Sequence, residues 1–136
     1  MNAIVKNILG FVAGLVVGGV VNMGIIQISG SIIPPPEGVD PTSMESLKNS
    51  MHLFEPIHFL FPFLAHALGT LVGAICVVKI ATSHHYKLAL GIGAFFLLGG
   101  ITNVYLLPSP TWFSVLDLAG AYLPMAWLGN RLGGNR

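Results

Sequence analysis

Four long apolar segments, separated by short polar stretches, make up most of this chain. They cover residues 4–32, 56–80, 87–107 and 110–128. Each segment is long enough for a helix to cross a bilayer, which takes about 17–25 predominantly apolar residues. Backbone polar groups in lipid must be bonded within a helix or a closed barrel, and these unbroken runs lack the alternation of barrel strands. The pattern predicts an all-α integral membrane protein, with four transmembrane helices in an antiparallel up-down bundle that forms a single domain over residues 1–136.

The polar stretch 33–55 between the first two spans is long enough to hold structure of its own. Three consecutive prolines at 34–36 end the first span, because proline cannot continue the helical hydrogen-bond ladder. Asp40 and Pro41 favour the start of a short helix that runs through Met51. Its apolar positions lie at i, i+3 and i+7: Met44, Leu47 and Met51. This stripe predicts a short amphipathic helix, lying on the membrane surface or covering the bundle.

A spaced pattern in the first span recurs 81 positions later in the third. The matching residues are Lys6, Leu9, Gly10, Ala13, Gly18, Gly19 and Asn22 in the first, and Lys87, Leu90, Gly91, Ala94, Gly99, Gly100 and Asn103 in the third. The repeat predicts an internal duplication that relates the first and third helices and orients them in parallel. Asn22 and Asn103 then lie at matching depths, where their amides need partners and can bond each other or line a shared polar pocket.

Rows of small residues indicate where the helices pack. In lipid, small residues at helical spacing let two backbones approach closely. The rows are Gly10, Gly14 and Gly18 in the first span, Gly69 and Gly73 in the second, and Gly91 and Gly99 in the third. We interpret them as packing seams.

Charge is scarce and unevenly placed. Only 8% of residues are charged and 54% are hydrophobic, against about 25% charged in a soluble domain, so lipid must be the solvent for much of the surface. A net charge of +1 without a basic cluster excludes nucleic acid as a partner. Five of the six basic residues fall on one side of the spans, namely Lys6, Lys79, Lys87, Arg131 and Arg136, and only Lys48 falls on the other. This bias predicts cytoplasmic termini and an extracytoplasmic 33–55 loop, in a bacterial inner membrane.

Asp117 is the strongest candidate for chemistry. It lies seven residues after Pro110, about 10 Å into the fourth helix. Carboxylates at such depth usually face the protein interior and have partners, and His66, His58 and Asn103 are within range. We predict a ligand- or proton-binding site formed by Asp117, His66, His58, Asn103 and Asn22. The alternative is a hydrogen-bonded contact between helices with no transport role.

Metal binding and catalysis have weaker support. Glu55 and His58 have the Glu-x-x-His spacing of di-iron bundles. Those bundles need two such motifs and further glutamates, whereas this chain has one motif, to which the loop could add His52 and Glu45. Cys76 has no nearby base and no serine stands in a G-x-S-x-G turn. We expect no cofactor and no enzyme activity.

Three hypotheses of function remain. The first is translocation or binding of a small solute, ion or proton through an outward-facing polar cavity, by a homo-oligomer in the bilayer. The second is a non-catalytic subunit that stabilises a larger membrane complex. The third is a metal-binding protein or enzyme at the outer leaflet. The depth of Asp117 and His66 favours the first.

Overall fold

The computed structural model describes residues 2–134, which form α-helices and two short 3-10 turns and contain no strand. The helices are α1 (Ala3–Ile32), α2 (Met44–Ser50), α3 (Leu60–Ile80), α4 (His85–Leu106), α5 (Thr111–Gly120) and α6 (Leu123–Leu132). The 3-10 turns, Met51–Leu53 and Pro56–Phe59, precede α3. The all-helical class expected from the hydrophobic pattern is therefore confirmed.

Within residues 2–134, three helical segments are long and apolar enough to cross a membrane. They are Ala3–Ile32, Pro56–Ile80 and His85–Leu106, with 30, 25 and 22 residues. At about 1.5 Å per residue, even the shortest exceeds the about 30 Å of a hydrocarbon core. These three coincide with the first three spans expected from the sequence, and a membrane location is plausible on these grounds.

The sequence had predicted one continuous helix over 110–128, and this prediction is wrong. Two ten-residue helices, α5 and α6, meet at a break at Ala121 and Tyr122. Pro124 lies in the first turn of α6 and has no N–H. It therefore cannot donate the hydrogen bond to the Gly120 carbonyl that would make α5 and α6 one continuous helix. Tyr122 has φ −114° and ψ −80°, outside the helical region.

Helices α1 and α3 run antiparallel and approach each other through glycine. A Cβ added at Gly14 would lie 2.7 Å from the carbonyl oxygen of Gly73, and one at Gly18 would lie 2.6 Å from that of Gly69. Near the start of α1, Gly10 lies against Ala81 in the same way. The glycine rows of the first and second spans therefore face each other. At Gly14 and Gly18 the two helices are so close that even an added Cβ would clash with the backbone of α3.

The matching glycines of α4 have different surroundings. A Cβ at Gly91 would lie 3.0 Å from the ring of Phe11, but one at Gly99 would meet no described heavy atom within 4 Å. Gly99 therefore has no close helix contact among the described residues, and its packing role stays a prediction. The close contacts of α4 instead use Gly93 and Gly100, which lie against the break and α6. Sequence identity between the two segments therefore does not give them equivalent packing.

Basic residues and an apolar core share one end of the assembly. The Asn7 side chain accepts a hydrogen bond from the N–H of Thr82 and donates one to Ser83, which ties the start of α1 to the turn between α3 and α4. The core at this end consists of Ala74, Val77, Val78, Ala81, Ala89, Ile92 and Ala126. Lys6, Lys79, Lys87 and Arg131 belong to helix ends that meet here, whereas Arg136 lies outside the described residues.

The 33–55 loop contains the predicted short helix, with a different start. Ser43, rather than Asp40, caps α2: its hydroxyl accepts the N–H of Ser46 at 3.2 Å. Asp40 instead bonds to Thr42 within the preceding turn. After α2, Met51 is buried in a cluster with Phe59 and Phe113. The loop therefore packs onto the start of α3 and onto α5.

Candidate functional site: a buried Asp–His pair between two cavities

Asp117 and His66 form a close pair between α5 and α3. Nδ1 of His66 lies 2.8 Å from Oδ1 and 3.0 Å from Oδ2 of Asp117. Asp117 is only 5% exposed, and the His66 side chain is 18% exposed. When the carboxylate is ionised it can only accept hydrogen bonds, and in that state Nδ1 carries the hydrogen and donates it. Of the partners considered for Asp117, the structure provides His66.

Two neighbouring side chains hold this pair in place. The Tyr122 hydroxyl donates to Oδ2 of Asp117 at 3.2 Å, and the Tyr122 ring stacks on that of His66 with centroids 5.7 Å apart. The Thr70 hydroxyl donates to the carbonyl oxygen of His66 at 2.8 Å. Since Nδ1 is engaged by Asp117, Nε2 is the His66 ring nitrogen that can exchange a proton with the surroundings.

The helix break brings the tyrosine to this pair. Tyr122 lies between α5 and α6, five residues after Asp117. Gly100 of α4 makes room for it, because a Cβ there would lie 2.6 Å from the Tyr122 hydroxyl oxygen. A continuous fourth helix would direct residue 122 away from residue 117, since positions five apart point in different directions around a helix. The break is therefore part of the site.

A large cavity lies on the loop side of the pair, and we call it the outer cavity. It has a volume of about 640 Å³ and is bounded by α1, α3, α4, α5 and the 33–55 loop. Four of the five predicted binding residues line it: His58, His66, Asn103 and Asp117. Most of the remaining lining is apolar. The outer cavity brings together, in one space, residues that are far apart in sequence.

A smaller cavity, which we call the inner cavity, adjoins the outer one. It has a volume of about 380 Å³ and is lined by Asn22, Asn103, Thr70 and Tyr122 among others. The two asparagines therefore line the same cavity. The Oδ1 atom of Asn22 is buried and has no hydrogen-bond partner among the described residues. The two cavities share three lining residues: His66, Gly100 and Asn103.

The residues considered for metal binding have separate positions. The backbone N–H of Glu55 donates to Nδ1 of His58 at 2.8 Å, so His58 caps the 3-10 turn that leads into α3. Glu55 and His52 are both exposed. Within residues 2–134, no group of three or more His, Cys, Asp or Glu side chains is arranged to hold a metal ion. The local spacing of Glu55 and His58 is therefore used for helix capping.

Tyr122 and Thr70 are the site residues that the sequence reasoning did not select. Thr70 follows His66 by four residues, and a hydroxyl at that spacing in an apolar helix commonly bonds the carbonyl one turn earlier. Tyr122 had a weaker signal, because its role depends on the break before Pro124. Both are almost fully buried, at 1% and 2% exposure.

Comparison of the chain with protein-family models, with curated proteins and with solved structures gives no match.

Proposed function

We propose that this protein is a membrane protein that translocates protons, or a small solute coupled to protons, through the outer cavity. The observation that carries the proposal is the Asp117–His66 pair, which is buried, hydrogen-bonded at 2.8 Å and lies where the two cavities meet. An ionisable pair is expensive at bilayer depth and commonly marks an ion pathway or proton relay.

The proposed membrane arrangement has three spanning helices and a broken fourth segment. α1, α3 with its preceding turn, and α4 cross the bilayer, while α5 and α6 cross it together as two half-helices. Discontinuous helices of this kind surround substrate sites in many transporters, because the break presents polar groups at mid-membrane. The basic end with Lys6, Lys79, Lys87 and Arg131 faces the cytoplasm, and the outer cavity opens towards the opposite side.

In the proposed mechanism, a proton arriving through the outer cavity binds Nε2 of His66. The imidazolium that forms is stabilised by the Asp117 carboxylate, which already accepts the Nδ1 hydrogen. The Tyr122 hydroxyl keeps the carboxylate oriented. Asn22 and Asn103 offer amide groups on the side of the inner cavity, where hydrogen-bonding partners support release of the proton from the pair. In this conformation the apolar core separates the inner cavity from the basic end, so release of the proton to the cytoplasm requires a second conformation in which that path is open.

Proton flux into proteoliposomes tests the proposal. Purified protein is reconstituted into potassium-loaded vesicles with a pH-sensitive dye inside. Addition of valinomycin in a low-potassium buffer sets a membrane potential that is negative inside and drives protons inward. We expect faster acidification than in protein-free vesicles. Asp117→Asn should lower the rate at least about tenfold, as loss of a proton-transfer group typically does. Glu45→Gln is the matched control, because this carboxylate is on α2, outside the cavity lining.

Two results would contradict the proposal. One is a wild-type rate equal to that of protein-free vesicles. The other is an Asp117→Asn rate equal to that of Glu45→Gln. Purification in mild detergent with a stoichiometric second protein would favour the accessory-subunit hypothesis instead.

A further inference from the structure

The outer cavity has the size and walls of a site for an organic molecule. Its volume of about 640 Å³ is within the range of about 300–1,000 Å³ that is usual for ligand pockets. Four phenylalanines line it: Phe54, Phe59, Phe61 and Phe113. The rings of Phe59 and Phe113 are 4.6 Å apart, and that of Phe54 is 5.9 Å from Phe59. Aromatic walls gain little from contact with a hydrated inorganic ion, whereas they bury the apolar surface of an organic molecule favourably.

The fixed charge of the lining favours a cation. Among the described residues that line the cavity, Asp117 is the only carboxylate and there is no lysine or arginine. The other titratable groups near Asp117 are His66 on α3, Tyr122 at the break and His58 across the cavity. The polar positions contributed by α1 and α4, such as Gln27 and Asn103, do not ionise. An anion would therefore meet a carboxylate without a permanent positive charge, while a cation meets both the carboxylate and the faces of the aromatic rings.

The cavity also adjoins the surface that faces lipid in the proposed membrane arrangement. Met23 of α1 and Val104 of α4 both line it and are nevertheless 53% and 39% exposed. Asn103, which also lines it, is exposed as well. A molecule dissolved in the bilayer can therefore reach the cavity between α1 and α4, without passing through the loop. This access favours a lipophilic ligand.

We propose that the outer cavity binds a lipophilic organic cation, with Asp117 as its counter-ion and the phenylalanine walls around its apolar body. The inference names the substrate class of the proposed transport function and rests on it. When His66 is protonated, the Asp117–His66 pair is neutral overall, and when His66 is neutral the pair carries one negative charge. The organic cation and the His66 proton therefore compete for the same charge, so a cation that binds the protonated pair displaces one proton from it, and a cation that binds the unprotonated pair displaces none.

Equilibrium dialysis of the full-length protein in mild detergent tests this inference. Three probes of similar shape differ in charge: tetraphenylphosphonium, triphenylphosphine oxide and tetraphenylborate. We expect saturable binding of tetraphenylphosphonium, at least about tenfold tighter than that of the neutral oxide or the borate anion. Binding should tighten as the pH rises, because loss of the competing His66 proton leaves the pair with its negative charge.

Variants assign the charge selectivity to the pair. Asp117→Asn should weaken tetraphenylphosphonium binding at least about tenfold, and Glu45→Gln should leave it unchanged. His66→Gln should retain binding and abolish its pH dependence. Should Asp117→Asn fail to fold, the comparison of the three probes on the wild type and the pH profile of His66→Gln still decide the question.

The outcomes separate this inference from the proposed function. Equal affinity for the neutral or anionic probe, or an unchanged affinity in Asp117→Asn, overturns the inference. If proton flux depends on Asp117 but binding is not selective for cations, the transport proposal stands and the assignment of an organic cation as substrate is overturned. Cation-selective binding without any proton flux supports the assignment of the ligand and removes transport.

Discussion

Substitution of one glycine in the seam between α1 and α3 should destabilise the fold measurably. Gly14→Ala would place a Cβ 2.7 Å from the carbonyl oxygen of Gly73 and 3.0 Å from Cδ1 of Ile92. The first distance is about 0.7 Å short of ordinary contact at 3.4 Å. The clash is with backbone, so α1 has to move away from α3. A radial gap of about 0.5–1 Å already forfeits a quarter to a half of each contact energy, and over-packing of this kind costs about 1–3 kcal/mol.

Gly19→Ala is the matched control on the same helix. A Cβ at Gly19 meets no described heavy atom within 4 Å, so the added methyl group should leave the free energy of unfolding unchanged or raise it slightly. Unfolding by dodecyl sulfate titration in mixed micelles, followed by tryptophan fluorescence, measures both variants.

The opposite side of the seam provides a second check. A Cβ at Gly73 would lie 2.7 Å from the carbonyl oxygen of Gly14, so both substitutions force the same separation of the helices. The double variant Gly14→Ala/Gly73→Ala should therefore cost less than the sum of the two single variants. If Gly14→Ala is as stable as Gly19→Ala, the close approach of α1 and α3 is refuted.

Two further predictions concern the turns at the two ends of the molecule. Asn7→Ala removes the acceptor for Thr82 N–H, at 3.0 Å, and the donor to Ser83, so we expect a loss of about 1–2 kcal/mol and faster amide exchange at Thr82. In the loop, the hydroxyl and then the backbone N–H of Thr42 donate to Asp40 and hold the pKa of that carboxyl below its usual value. A carboxyl whose folded pKa is lowered contributes stability that is complete above its unfolded pKa of about 3.9 and is lost as the pH falls through the folded pKa. Order at the 40–42 turn should therefore be complete above about pH 4 and decrease progressively as the pH falls further. Thr42→Val should raise the midpoint of the Asp40 titration, measured by NMR, and an unchanged midpoint would contradict the assignment.

The long helices could be predicted from the sequence because a single physical requirement determines them. Backbone groups in lipid must bond within their own segment, so an apolar run of sufficient length implies a helix, as it does for Ala3–Ile32. Small residues at a spacing of four mark close helix approach, so Gly14 and Gly73 could be predicted as packing positions, but only the structure shows that they face each other.

The break in the fourth segment could not be predicted in the same way. The apolar run continues through Ala121 and Tyr122, and Pro124 alone does not separate a kink from a full interruption, since both relieve the missing hydrogen bond. The tertiary contact between Tyr122 and Gly100 decides the outcome, and no local pattern encodes it. The repeat of Gly18 at Gly99 likewise did not determine its surroundings, because a Cβ at Gly18 would meet the Gly69 carbonyl oxygen and one at Gly99 meets no described heavy atom within 4 Å.

The two ionisable residues of the candidate site could be selected from their positions within the apolar segments. Asp117 and His66 were the ionisable residues furthest from the ends of their segments, and mutual pairing reduces the cost of placing both in the bilayer. Their geometry depends on contacts between α3 and α5 that span 51 positions in sequence. Spacing along a single helix gave no access to those contacts. For the same reason, Glu55 and His58 resembled metal ligands although the structure uses them as a cap.

The central claim is that Asp117 and His66 act as one proton-carrying unit, and a double-mutant cycle of proton flux tests it most directly. The initial rate of vesicle acidification is measured for wild type, Asp117→Asn, His66→Gln and the double variant, at equal protein per lipid. We expect each single variant to lose at least about tenfold, and the double variant to lose no more than the slower single one, as for groups that function together. Losses that multiply in the double variant, or single variants that conduct protons at the wild-type rate, would contradict the claim.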